Sequence, residues 1–230
     1  MSIPGPFSGV NAGLQVRQGG CYAGAPMSET AVASTATRTR SARTAGAAAA
    51  LRTATHPAHR AVESLPLMRA LMSADIDPST YTDVLRRQWR IHAGWEQANA
   101  DWLRAQAWSY RPRAPALRAD LDWLQAGTPE GAPMPAPRVD DDASGWGMLY
   151  VVEGSALGGQ VIARHLRRTR PELAGALRHF GAARPPGQEW PRFQALLERH
   201  LRDATALARA VDGARALFAH FHHHLAGARA

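Results

Sequence analysis

The sequence predicts an all-α fold, a single-domain helical bundle. Three observations carry this. Apolar residues recur every three or four positions from Ala48 onward; no stretch of useful length alternates apolar and polar; and the loops between periodic segments are rich in Gly and Pro. The chain has 230 residues, 45% of them hydrophobic, which is enough to bury one ordinary core.

Residues 1 to 47 are rich in Gly, Ser, Thr and Ala and have no apolar period. They are expected to form a disordered N-terminal extension, with residues 48 to 230 as the helical domain. In the first helix Leu51, Thr55, Ala58, Val62 and Leu65 mark the buried stripe, and its end is expected near Leu71. Asp77, Pro78 and Ser79 offer a cap. A long helix follows from about Tyr81 to Ala107, with Val84, Leu85, Trp89, His92, Trp95 and Leu103 inward. A shorter one spans about Ala116 to Gln125, and GTPEGAPMPAPRVDDD reads as a loop. The next helix runs from about Ser144 to Arg168, and Pro171 opens a short helical piece. GAARPPGQEW reads as another loop. A final helical pair runs from Pro191 to Leu225, with a break expected at Gly213.

Composition excludes several classes. All 27 basic residues are arginine, and the net charge of +8 is spread without a block of like charges, so nucleic acid is not an expected partner. No run approaches the roughly 20 apolar residues of a membrane span, and the N-terminus lacks the pattern of a secretory signal. The one cysteine, Cys21, cannot form an internal disulfide, which fits a reducing cytoplasm.

Two segments carry chemistry. On the first helix, Arg52, His56, His59 and Glu63 are spaced 4, 3 and 4 apart, on one line beside the apolar stripe. Such a line is either a solvated charged face or a metal-ligand histidine with a supporting acid, since a ligating imidazole has its other nitrogen engaged. The second segment, EGSALGGQVIARHL, places Gly154, Gly158 and Gly159 inside a helix. Each costs roughly 1 kcal/mol relative to alanine. Either a close helix crossing or a flat ligand lying against bare backbone would offset that cost. A haem fits both segments, having an iron at its centre and two propionates on its rim.

LRTATHPAHRAVES and LYVVEGSALGGQVIARHL together resemble the haem oxygenases of bacteria, of the type encoded beside bacterial phytochromes, and helix order extends the resemblance over about Ala48 to Leu225. The resemblance implies oxidative opening of haem to biliverdin with release of carbon monoxide and iron. Haem would be both substrate and cofactor, and electrons would come from a ferredoxin or a reductase. It implies His59 as the iron ligand, with His56 as a rival, and Glu63 as the acid bonded to it. Arg52 becomes a propionate-binding cation, and Gly154, Gly158 and Gly159 become the distal helix. Ser155 stands where mammalian relatives carry an aspartate that organises water for proton delivery. Tyr150 borders the pocket or packs in the core, and Arg192 and Arg199 are further candidates for the propionates. Two other classes remain open: a haem carrier or sensor on the same fold, and a thiaminase-like enzyme using Cys21. His220, His222, His223 and His224 resemble a metal tract but are expected on an exposed helix end.

Overall fold

A computed structural model describes residues 46–127, 131–181 and 189–227. Among these residues the regular structure is entirely helical, as the periodicity predicts. Cys21 and the proposed extension lie outside the described residues, apart from Gly46 and Ala47.

The first helix, α1 (Ala47–Glu63), buries Ala47, Ala48, Leu51 and Thr55. It stops at Glu63 rather than near Leu71. Pro66 has no N–H to continue the ladder and forces the preceding Leu65 into extended backbone (φ −61, ψ 141), so a separate short helix, α2 (Pro66–Ala70), begins there. Pro57 lies within α1 and removes one ladder bond beside His56.

Asp77 caps α3 (Pro78–Ala98) by accepting the Ser79 N–H at 3.0 Å. The expected helix to Ala107 divides at Asn99, where α4 (Ala100–Ala105) begins. Asn99 is committed to a nearby loop: its amide donates to the Pro137 carbonyl at 3.0 Å, and its oxygen accepts the Val139 N–H at 2.7 Å. Next come α5 (Ala114–Trp123) and the long α6 (Asp142–Thr169). Asp141 and Ser144 form a reciprocal capping box that fixes the start of α6. A 3₁₀ segment (Pro171–Ala176), α7 (Arg178–Gly181), α8 (Glu189–His200) and α9 (Ala204–Ala226) complete the described chain.

The break expected at Gly213 is absent. The turn between the last two helices lies at residues 201–203, where Asp203 caps α9. Gly213 is buried inside α9 for a tertiary reason: a Cβ there would fall 2.3 Å from the Ser144 carbonyl oxygen. Gly147 does the same from α6, where a Cβ would fall 1.8 Å from the Ala210 carbonyl oxygen. The two helices thus cross backbone against backbone.

The buried side chains form two clusters. One joins α1, α8, α9 and the second half of α3 to the first half of α6, ending on α6 at Val152. The other joins the first half of α3, α5 and Leu173–Phe180 to the second half of α6, beginning there at Ala163. The glycine-bearing stretch between Val152 and Ala163 supplies neither cluster with a buried large side chain. Trp95, expected inward, is buried, as is Trp146, whereas Trp123 is exposed.

Candidate active site

The helices α1 and α6 both pack on α9 rather than on each other. His59 comes from α1, and its ring edge packs on the Phe218 ring of α9 at 5.8 Å. One turn on, Glu63 places Oε2 3.5 Å from His59 Nδ1. That orientation assigns Nδ1 to the carboxylate and leaves Nε2 as the nitrogen suited to a metal. Burial holds the His59 pKa below the ordinary imidazole value, with Glu63 pulling the other way and His56 and Arg60 adding to the fall. A neutral imidazole is the form that can ligate iron. His56, the rival, is exposed. Arg52 is also exposed, yet it lies close enough to Tyr150 of α6 to favour that residue's ionised form. Burial is the larger effect and pushes the Tyr150 phenol up to about 12.

On α6, Gly154 and Gly159 are buried, Gly158 is half-buried and Ser155 is exposed. The three glycines do not share one task. A Cβ on Gly159 would sit 3.1 Å from the Phe180 carbonyl oxygen, so this glycine serves a close approach of α7. Gly154 and Gly158 share the opposite flank with Val161, at helical spacings of 4 and 3. Val161 is 40% exposed, one of two large hydrophobics so placed among the described residues. The Ser155 hydroxyl donates to the Val152 carbonyl of its own helix at 2.7 Å.

These features fit a haem. An imidazole with an engaged Nδ1, a flank of glycines with an exposed valine, and an Arg–Tyr pair suit an iron, a macrocycle face and an acidic rim respectively. Arg192 and Arg199 are both exposed on α8, and neither has a partner that distinguishes it as a further contact to the rim.

Sequence reasoning missed the surroundings of Glu153. It is a buried carboxylate, accepting Trp108 Nε1–H at 3.0 Å and pairing with Arg113 at 3.0 Å. It is therefore committed to structure rather than to replacing the missing aspartate. Glu96 accepts the Tyr110 hydroxyl at 2.7 Å and the Arg113 backbone N–H, which fixes the start of α5. A lone acid inside the buried run GMLYVVEG signals such a pair, but its partner lies 40 residues away. The histidine tract also differs from expectation. His220 is buried, His222 and His223 are exposed, and His224 is half-buried. No cluster of metal-ligating side chains occurs among the described residues.

Fold and site together define an all-helical protein in which a carboxylate-paired histidine on α1 and the glycine-bearing α6 are both supported by α9. A family model for heme oxygenase matches residues 45–226, well over half of the chain. A heme oxygenase of Xanthomonas campestris pv. campestris (strain 8004) is 50% identical over 159 residues, covering 68% of this chain and 94% of the relative. The chain belongs to the heme oxygenase family. By that membership it is a haem-degrading enzyme.

Proposed function

We propose that this chain opens haem at a meso carbon to biliverdin, releasing carbon monoxide and iron, with electrons from a ferredoxin or a reductase. The observation that carries the proposal is the pair of helices held apart on α9: one brings His59 with Glu63, the other brings Gly154 and Gly158. Bound haem supplies the redox chemistry, being the group that activates dioxygen and the ring that is oxidised.

The protein's own residues bind, orient and shield. His59 would ligate the iron through Nε2, with Glu63 fixing its tautomer through Nδ1. Arg52 and Tyr150 would hold the propionates and so set which edge of the ring points inward. Gly158, having no side chain, would leave room over the ring face, and Val161 would cover apolar surface. Biliverdin from such a reaction suits a bacterial phytochrome as acceptor, and Cys21 is consistent with a cytoplasmic setting. No described helix is long and apolar enough to cross a membrane. In this reading residues 1–46 are an extension outside the catalytic domain.

The test is turnover with haemin and either ascorbate or a ferredoxin–reductase pair. Loss of the Soret band with growth of biliverdin absorbance is expected; a Soret band that persists under reductant and oxygen would make the protein a carrier. His59→Ala is expected to abolish ring opening while the helical circular dichroism is kept. Normal turnover by that variant without added imidazole would move the ligand to His56.

A further inference from the structure

A second group of buried polar side chains lies between α3, α5 and α7. His92 on α3 and His179 on α7 bring their rings within 5.5 Å of each other. His92 is 2% exposed, and Arg113 beside the pair is 8% exposed. His179 is only partly buried as a residue, but its Nδ1 is closed off from solvent. His92 Nδ1, His179 Nδ1 and Arg113 Nε are all shut away from solvent without a hydrogen-bond partner from the protein. Buried polar atoms are rarely left so; with the two rings in contact and Arg113 near enough to disfavour protonation of both, these atoms could hold a water, which needs two to four partners.

The cluster touches two elements that also support the proposed haem site. The ring of His92 packs at 5.3 Å on Phe221, one turn along α9 from the Phe218 that supports His59. His179 precedes Phe180, whose backbone lies against Gly159 of α6, one turn from Ser155. Its position is fixed: Asp120 accepts the Arg178 and His179 N–H groups at 2.8 Å each. Towards solvent, His220 on α9 lies close enough to His92 to disfavour its protonation; its own Nε2 has no hydrogen-bond partner, and its ring lies 4.4 Å from that of half-buried His224.

We infer that His92, His179 and Arg113 are positioning residues that hold buried water beside the haem and pass protons to it from solvent along His220 and His224. The inference rests on the haem reading above. Arg113 Nε–H donates to the water, and each imidazole offers one donor and one acceptor. A proton leaving the water is replaced from the solvent side, so the side chains are unchanged after each passage. The groups facing His92 are His179, Arg113 and His220, and burial with these neighbours keeps it neutral. His179 is held down to about 3 by burial and by Arg113. Neutral rings orient water without a competing buried charge.

The test uses the haem complexes of the full chain, comparing the parent with His92→Phe, His179→Phe and His92→Asn. Haem affinity comes from Soret titration. Turnover, its solvent deuterium isotope effect, and the pH midpoint of the ferric complex's spectral change are then measured. The phenylalanine variants should bind haem as the parent does but degrade it roughly tenfold or more slowly, the scale of lost proton-transfer assistance. Their isotope effect should rise and their spectral midpoint should shift, while His92→Asn, which restores a polar atom near Nδ1, should recover most of the parental behaviour. Parental rate, isotope effect and midpoint in both phenylalanine variants would overturn the inference. If those variants do not fold, His92→Gln decides, because its amide sits nearer the Nε2 position. Parental values there overturn the inference, and a slowed, isotope-sensitive reaction supports it. A parent protein that does not bind haem defeats the functional reading itself, which is a different outcome.

Discussion

At the scale of single residues, Glu153 shows how a buried charge is held. It lies next to Gly154, 8% exposed, with Arg113 on one oxygen and Trp108 on the other. Removing one member of a buried pair strands the other. Glu153→Ala should therefore cost about 3 to 5 kcal/mol in urea unfolding, and Glu153→Gln, which keeps an acceptor for Trp108, should cost less. A loss below about 1 kcal/mol for the alanine variant would show that Arg113 finds another partner or solvent. His59 and Glu63 were legible in the sequence because a one-turn spacing determines their contact. Arg113 was not, because nothing local says which cation crosses 40 positions to meet an acid.

At the scale of elements, the glycines separate by what a methyl group would meet. Gly147 lies where a Cβ would fall 1.8 Å from the Ala210 carbonyl, so Gly147→Ala should force α6 and α9 apart at a cost of roughly 1 to 3 kcal/mol or more. Gly158→Ala should leave the apo protein as stable or up to about 1 kcal/mol more so, while slowing ring opening. Thermal melts and single-turnover assays separate the two. A Gly158→Ala protein that melts early yet turns haem over normally would assign that glycine to packing. The bounds of α6 were readable to within two residues because the apolar period carries it through, although the capping box of Asp141 and Ser144 was not read. The end of α1 was misjudged because periodicity continues past Pro66 although the backbone cannot. Gly213 was misread as a break because its reason is the Ser144 carbonyl, which no local pattern records.

At the scale of the whole molecule, buried histidines tie stability to pH. Burial holds His92 well below the ordinary imidazole value, His179 at about 3 and His220 at about 4. Their folded values lie below the unfolded value of about 6.5, so the unfolded chain binds more protons as the solution is acidified. The stability they contribute is complete above about pH 6.5 and is lost as pH falls towards the folded values, by up to about 1.4 kcal/mol per pH unit for each. The apo protein should show a falling urea midpoint from pH 7 to pH 5 and little change from pH 7 to pH 8. Burial holds the carboxyls of Glu96 and Asp120 above their ordinary range, and they act in the opposite sense. Comparing the parent with His179→Phe cancels that contribution: the variant should show the shallower slope, and an equal slope would remove His179 from the account. Truncation tests the domain boundary. The family match begins at residue 45, and the Ala47 N–H donates to Glu198 at 2.6 Å. Deleting residues 1–44 should leave haem affinity and the melting temperature unchanged; loss of either would make that segment part of the domain.

The crossing of α6 on α9 also decides which wall can move when substrate enters or product leaves. Carbonyl-to-glycine contacts at residues 147 and 213 leave those two helices no room to slide. The helix α1 lacks one ladder bond at Pro57, two residues before His59. It is tied to α9 partly through an exposed bond from Arg215 to the Ala54 carbonyl. Of these helices α1 is expected to open the more readily, and amide hydrogen exchange checks it: the amides around His59 should exchange through local opening, and those at the α6–α9 crossing only when the whole protein unfolds.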